Sequence, residues 1–500
     1  MNVTRSFKCF YIEEPELIFG NEGRSIDPKA GIMAFGPYHL PSQKTPHPEK
    51  ITLGIIGDRK SIELAREWIE QCKHEIKGKL DNPYLFPDFP GFNRENTFRC
   101  DLEVPDSLIR IISEDRIKDV IKIADIHERI YEAAQLYVDE VESLSQIHPS
   151  PDVIVCAVSE SIEKKCDVKG AKTLRFTKIN RRVHEMKKRG QAFLHDFGIG
   201  EEPKERKSYD FRRALKGKSM KFGIPLQLIR YSTLKERRGL EDPATRAWNF
   251  SVALYYKAGG YPWKLADIES NTCYVGVSFY REKLTPETNL YTAVAQIFTV
   301  YGEGIVLRGE NAVLKEDRRP HLSEESSYKL LKNCIETYRK QIGDRPRRIT
   351  VHKSSAYTPE ELEGFKSAIE EYNIPYWSLI TIRETGIRIF RQNKKYPVLR
   401  GTFIKLSDNN YLLYTTGSTL YLRTYPGPNI PSPLWISEIH GDEDPLRIAK
   451  EILALTKMNW NNMRFYNKFP VTLQFAKFVG EILSELEPTQ PIQTHFKFYM

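Results

Sequence analysis

Apolar and polar positions divide the chain into two long stretches of alternating element types. Ile51-Thr-Leu-Gly-Ile-Ile-Gly and the Val-Ile-Val-Cys-Ala-Val run after Asp152 are almost continuously apolar, the pattern of strands covered on both faces. Between them, apolar residues three and four apart predict an amphipathic helix over Ser61–Ile76 and a helical stretch over about Glu114–Ser145. Asn82–Asn96 is rich in Pro and Phe and predicts a loop. Strand and helix patterns continue to alternate to about residue 265. A second series opens at Thr272-Cys-Tyr-Val-Gly-Val-Ser-Phe-Tyr, with strands around 293–307, a helix at Ser323–Gln341 and a strand at Arg348–His352. A helix at Pro359–Glu371, strands at Tyr376–Thr381 and Gly386–Phe390, and helices at about 445–457 and 471–486 complete it.

The fold class is therefore α/β. The first series has the order of a Rossmann-like layer, and the second the order of an RNase H-like unit. The first fifty residues are turn-rich, with Glu14-Pro-Glu-Leu-Ile-Phe-Gly and Gly36-Pro-Tyr, and are expected to be a lead-in segment. The expected division is 1–50, 51–265 and 266–500. Five hundred residues exceed what one core holds, which fits two or three units. The composition, 40% hydrophobic and 28% charged, is ordinary for a globular protein. No apolar run reaches the roughly 18 residues of a membrane span. The N-terminus lacks the apolar core of a signal peptide. Seven scattered cysteines without a C-x-x-C pair argue for reduced thiols and a cytoplasmic location, and against structural zinc.

Charge adds a partner class. The net charge is +9, but residues 172–189 carry eight Lys/Arg against one acid, and residues 204–238 carry twelve against three. Such runs can serve solubility alone. Clustered about a helix–turn–strand unit, they point to a polyanion such as nucleic acid.

Arg212 and Lys216 are four apart on one helical face. Gly223-Ile-Pro-Leu turns the chain into a short strand carrying Gln227, and Lys257 ends a helix before Ala258-Gly-Gly. Taken singly, a lysine at a helix C-terminus, a solvated cationic face and a buried amide explain these residues. Together they supply three cations and an amide to one anion, at about 1.5–3 kcal/mol per charge-assisted bond. The spacing, Arg-x₃-Lys, ten residues, Gln, then Lys-Ala-Gly-Gly-x-Pro-Trp, resembles the MID domain of prokaryotic Argonautes. In that family these positions grip a guide's 5′-phosphate, and the resemblance implies this role for Arg212, Lys216, Gln227 and Lys257.

The resemblance covers most of the chain. The opening motifs are similar to those of short Argonautes, which lack the N and PAZ domains, and residues from about 266 resemble the PIWI domain. Active PIWI domains hold their metals with carboxylates, because hard Mg²⁺ requires charged oxygens. Here the first two aspartate positions fall on Ser278 and Ser354, and a fourth position on Lys477. The family's mobile glutamate would lie near Asp317–Ser323. Lys477 lies opposite the apolar stripe of its helix, where it faces solvent or phosphate. His352 beside Ser354 suggests a His/Ser pair, but no orienting acid or oxyanion motif accompanies it. Asp408-Asn-Asn and Gly441-Asp-Glu-Asp read as turns. Trp460-Asn-Asn-Met-Arg-Phe-Tyr reads equally as a plain loop or a nucleic-acid contact. The aromatic C-terminus, Thr494–Met500, is expected to be packed. In the family the terminal carboxylate helps hold a cation, which carries to Met500 and implies Mg²⁺ at the guide phosphate, with no catalytic metal.

The resemblance thus implies a catalytically inactive sensor. It would hold guide RNA, recognise single-stranded target DNA of plasmids or phages, and activate an APAZ-containing partner with a TIR, sirtuin-like or nuclease effector, with oligomerisation on target binding. Two rivals remain open. One is an endonuclease with unconventional ligands near Asp317, and the other a nonspecific nucleic-acid-binding module.

Overall fold

The protein is described by a computed structural model, covering residues 7–38, 47–79, 82–166, 208–235, 240–269, 271–281, 291–298, 304–317, 319–422, 424–425, 429–441, 443–486 and 490–500. The basic run 172–189 and the ends of the run 204–238 lie outside these residues.

The first apolar runs form a parallel sheet. Its strands lie in the order Asp101–Glu103, Lys50–Gly57, Val153–Val158 and Leu226–Arg230, with Ile109–Ile111 also paired to Lys50–Gly57. Val153–Val158 is buried at every position, as a strand covered on both faces must be. The helix Arg59–Cys72 starts where Asp58 accepts from Ser61 N at 2.6 Å, and it buries Ile62, Ala65, Trp68, Ile69 and Cys72. The helical stretch expected over Glu114–Ser145 is two helices, Glu114–Lys122 and Ile126–Ser145. Asp125 caps the second and so restarts the helical hydrogen bonding.

The second unit is a ten-stranded sheet. Three parallel strands, Thr272–Arg281, Arg348–Lys353 and Tyr376–Glu384, form its centre. Tyr291–Phe298 and Gly304–Leu314 extend it antiparallel on one side, and Leu434–His440, Asn410–Leu413 and Thr402–Ser407 extend it on the other. Helices Glu324–Ile342 and Pro359–Glu371 cover one face; Pro445–Leu455 and Val471–Leu483 cover the other. This is the expected RNase H-like order. The strand expected at Gly386–Phe390 does not form. No neighbouring strand pairs with it, and the chain from 385 to 401 is irregular.

The lead-in segment is woven into the large sheet and into a small third one. Lys8–Tyr11 is the edge strand of the large sheet, paired with Thr402–Lys405. Leu17–Ile18 joins Arg24–Ser25 and Lys264–Leu265 in a small sheet. Half-buried Glu14 lies between the buried Arg400 and Lys457, both at 2.9 Å, which pins the segment in place. All seven cysteines are unpaired, and only Cys9 is exposed. Among the described residues, no helix is long and apolar enough to cross a membrane.

Candidate functional site

The four residues singled out for an anion come together at one end of the parallel sheet. Asp210 caps the helix Phe211–Ser219 by accepting from Arg213 N at 2.9 Å. One turn apart on that helix, Arg212 is half-buried and Lys216 only 3% exposed. The chain reverses at Gly223, whose φ of +73° suits glycine. It then enters Leu226–Arg230, where Gln227 pairs with Val155 of the central strand. The helix Pro243–Lys257 ends at Lys257, 1% exposed, whose Nζ donates to Gln227 Oε1 at 2.5 Å. Gly260 closes that helix under the Tyr255 ring, where a Cβ would lie 2.3 Å from ring carbons.

Burial and mutual repulsion set the electrostatics of these residues. Burial, then the charges of Lys257 and Arg212, push the Lys216 ammonium well below its ordinary range. Burial and Arg212 push Lys257 down to about 7. Burial also lowers Arg212, against the pull of Asp210. Among the described residues, no carboxylate pairs with Lys216 or Lys257. Three mutually repelling cations in a poorly solvated site are expensive without an anion.

The helix Phe211–Ser219, which carries Arg212 and Lys216, is braced from the second unit. Arg213 pairs with Glu481 at 2.6 Å, and Tyr209 N donates to Glu485 at 2.8 Å. Gln490 and Gln493 donate to Gly217 O and Met220 O, at 3.5 and 3.1 Å. The C-terminus is packed, with Tyr499 and Met500 buried. The four converging side chains offer Mg²⁺ no free oxygen. The side chains that converge are cations, and the one neutral oxygen, on Gln227, already accepts from Lys257. The sequence offered no sign of the Glu481 and Glu485 braces, because their partners lie more than two hundred positions away.

The two serines lie at the same level of adjacent parallel strands. Val277 is paired with Lys353, and Ser278 and Ser354 follow them. Ser278 is half-buried; Ser354 and Lys477 are exposed. The start of helix Val471–Leu483 sits on Gly276, where an added Cβ would lie 2.0 Å from Thr472 O. His352 lies beneath that helix, its Nδ1 2.8 Å from Thr472 Oγ1. Burial and Arg348 push it down to about 3, so it stays neutral. It packs against the helix, whereas Ser354 faces solvent, and no nucleophile–base pair is built between them.

Alternation along the strand sends Lys353 to the other face. There it meets Glu361 at 2.5 Å, and Glu361 also lies 3.2 Å from His321. His321 reaches Asp317 at 3.0 Å, so the Asp317 carboxylate is tied to a histidine and held below its ordinary range. Among the described residues, no group of three or more His, Cys, Asp or Glu is arranged to hold a metal. In the segment beginning at Trp460, the tryptophan, Met463 and Phe465 are buried; Arg464 is exposed and lies 3.6 Å from Glu241.

No protein-family model and no curated protein matches the chain. Solved structures do. Clostridium butyricum Argonaute bound to a guide DNA (5′ deoxycytidine) and a 19-mer target DNA matches 98% of this chain and 55% of its own length, at TM-score 0.63 and 14% identity. Drosophila Piwi matches 98% and 56%, at 0.58 and 12%, and A. aeolicus Argonaute 97% and 55%, at 0.54 and 16%. The chain thus spans about half the length of the structures it matches. The likeness shows an Argonaute-like fold in which a Rossmann-like layer accompanies an RNase H-like unit.

Proposed function

We propose that this chain is a guide-directed nucleic-acid sensor that binds and does not cut. The observation that carries this reading is the convergence of Arg212, Lys216, Gln227 and Lys257 at the end of a parallel sheet, where, among the described residues, the buried Lys216 and Lys257 have no carboxylate partner. A terminal phosphate fits it. The anion brings up to two negative charges and several acceptor oxygens to groups that repel one another in its absence. A 5′-phosphorylated guide, RNA on the reading offered here, would be anchored there, leaving its bases to pair with single-stranded DNA. The neighbour from Clostridium butyricum, solved with a guide and a target strand, supports a two-strand arrangement.

Loss of cutting follows from residue chemistry. A two-metal site needs carboxylates on both central strands. Ser278 and Ser354 offer neutral hydroxyls at one level of those strands, and Lys477 adds a positive charge on the covering helix. Within the window of the expected glutamate, Asp317 is tied to His321, and Glu361, which also reaches His321, is paired with Lys353. Mg²⁺ plays no part in this reading, because Arg212, Lys216 and Lys257 balance the phosphate.

A recogniser that does not cut needs an effector in another polypeptide or domain. The reading assigns that role to an APAZ-containing partner with a TIR, sirtuin-like or nuclease domain. Target capture by this chain would switch the partner on in defence against plasmids or phages, in the cytoplasm. The test is to load the purified chain with a 5′-phosphorylated guide and offer complementary and scrambled single strands. Selective capture of the complementary strand, left intact on a denaturing gel, is expected. Equal capture of both strands overturns the reading in favour of a nonspecific binder.

A further inference from the structure

The segment from 385 to 401 leaves the sheet at the same end as Ser278 and Ser354. Its strand, Tyr376–Glu384, is parallel to both serine-bearing strands, and Lys353 is paired with Thr381. The segment therefore begins three residues beyond the level of Ile382, where Ser354 lies, or about 10 Å farther along. Residues 385–407 contain no Asp or Glu, while Arg388, Arg391, Lys394 and Lys395 fall among them. Arg388, Lys394 and Lys395 are exposed, and among the described residues none of the four forms an ion pair. Phe390 is 72% exposed and Ile387 43%.

The segment is held, which makes these exposures a presented surface. Ile389 turns inward onto the cluster of Val398, Ile404, Leu412 and Tyr414. Its neighbours Arg388 and Phe390 are thereby turned outward. Ile387 N donates to Thr385 Oγ1 at 2.8 Å, and Arg391 donates to Pro397 O at 3.4 Å across the neck of the loop. Unpaired cations without an acid fit a polyanion. An aromatic ring standing free between them fits a ligand that offers flat faces as well as phosphates.

We infer that this loop is a second nucleic-acid contact, in which Phe390 stacks on an unpaired base while Arg388 and Arg391 hold the flanking phosphates of a single strand. It rests on the guide-sensor reading for its biological setting, and stands apart from the phosphate pocket in position and chemistry. A test uses the full guide-loaded chain with two fluorescent probes of equal length, a base-bearing single strand and an abasic one. Phe390→Ala is expected to weaken the base-bearing strand about tenfold and to spare the abasic strand, with Phe390→Trp keeping the parent affinity. Arg388→Ala with Arg391→Ala is expected to reduce the slope of log K against log salt by about 1.4. Unchanged affinity in Phe390→Ala overturns the inference, as does an equal loss on both strands. The guide's preference for 5′-phosphate, read in the same samples, separates the two claims. If the parent shows none while the Phe390 effect persists, the pocket reading fails and this contact stands.

Discussion

Replacing Lys257 by Met should stabilise the empty protein while damaging its recognition of phosphate. Lys257 is 1% exposed, and burial beside Arg212 pushes it from 10.5 to about 7. At about 1.4 kcal/mol per pH unit, carrying that charge costs the folded state about 5 kcal/mol. The penalty is fully present below pH 7. Between about 7 and 10.5 the unfolded chain binds the extra proton, so parent stability rises with pH there, and the penalty is gone above 10.5. Lys257→Met removes it and leaves Gln227 Oε1 without its donor at 2.5 Å, a loss of about 1–3 kcal/mol. The net expectation is a gain of about 2–4 kcal/mol at pH 6 in urea unfolding, shrinking as pH rises towards 10. The same variant loses one charge-assisted bond to phosphate, about 1.5–3 kcal/mol, so 5′-phosphate preference falls tenfold or more in a binding competition. A variant less stable than the parent at pH 6, with full phosphate preference retained, would refute the reasoning.

Three further outcomes follow from buried charges and from the serines. Glu14→Gln strips Arg400 and Lys457 of their shared carboxylate, and should lower stability by about 3–5 kcal/mol in urea unfolding at pH 7. Burial pulls Glu14 up, but Arg400 and Lys457 outweigh it and hold it below 4.5. Its contribution is present above pH 4.5 and lost as pH falls through the lowered value, so the variant's deficit should shrink in acid. Glu361→Gln leaves Lys353 buried and unpaired, and should cost a similar 3–5 kcal/mol, read as an earlier thermal transition. The guide-loaded chain should yield no cleavage product with Mg²⁺ or Mn²⁺. Product that disappears in Asp317→Asn would transfer the account to an endonuclease with unconventional ligands.

Much of this was legible in the sequence, because apolar periodicity and turn residues act locally. The run 153–158 reads as a covered strand and forms one, and the helix read at Pro359–Glu371 forms behind a capping box of Thr358 and Glu361. The pocket was legible for the same reason. Arg212 and Lys216 are one turn apart, and Gly223 and Gly259–Gly260 mark the turns that aim Gln227 and Lys257. What the sequence hid depends on distant pairing. Lys8–Tyr11 looked like a lead-in because its partner, Thr402–Lys405, lies nearly four hundred residues away. The supposed strand 386–390 had the alternation of a strand but finds no neighbour. The link from His321 to Glu361 spans forty positions and had no local sign.

The most direct test sets a 5′-phosphorylated guide against the same strand with a 5′-hydroxyl, at one salt concentration because all polyanion binding weakens with salt. The competition is run on the parent chain, Lys216→Ala and Gln227→Ala. The account predicts at least a tenfold preference for phosphate in the parent, reduced in both variants. Equal affinity for the two ends in the parent would contradict it.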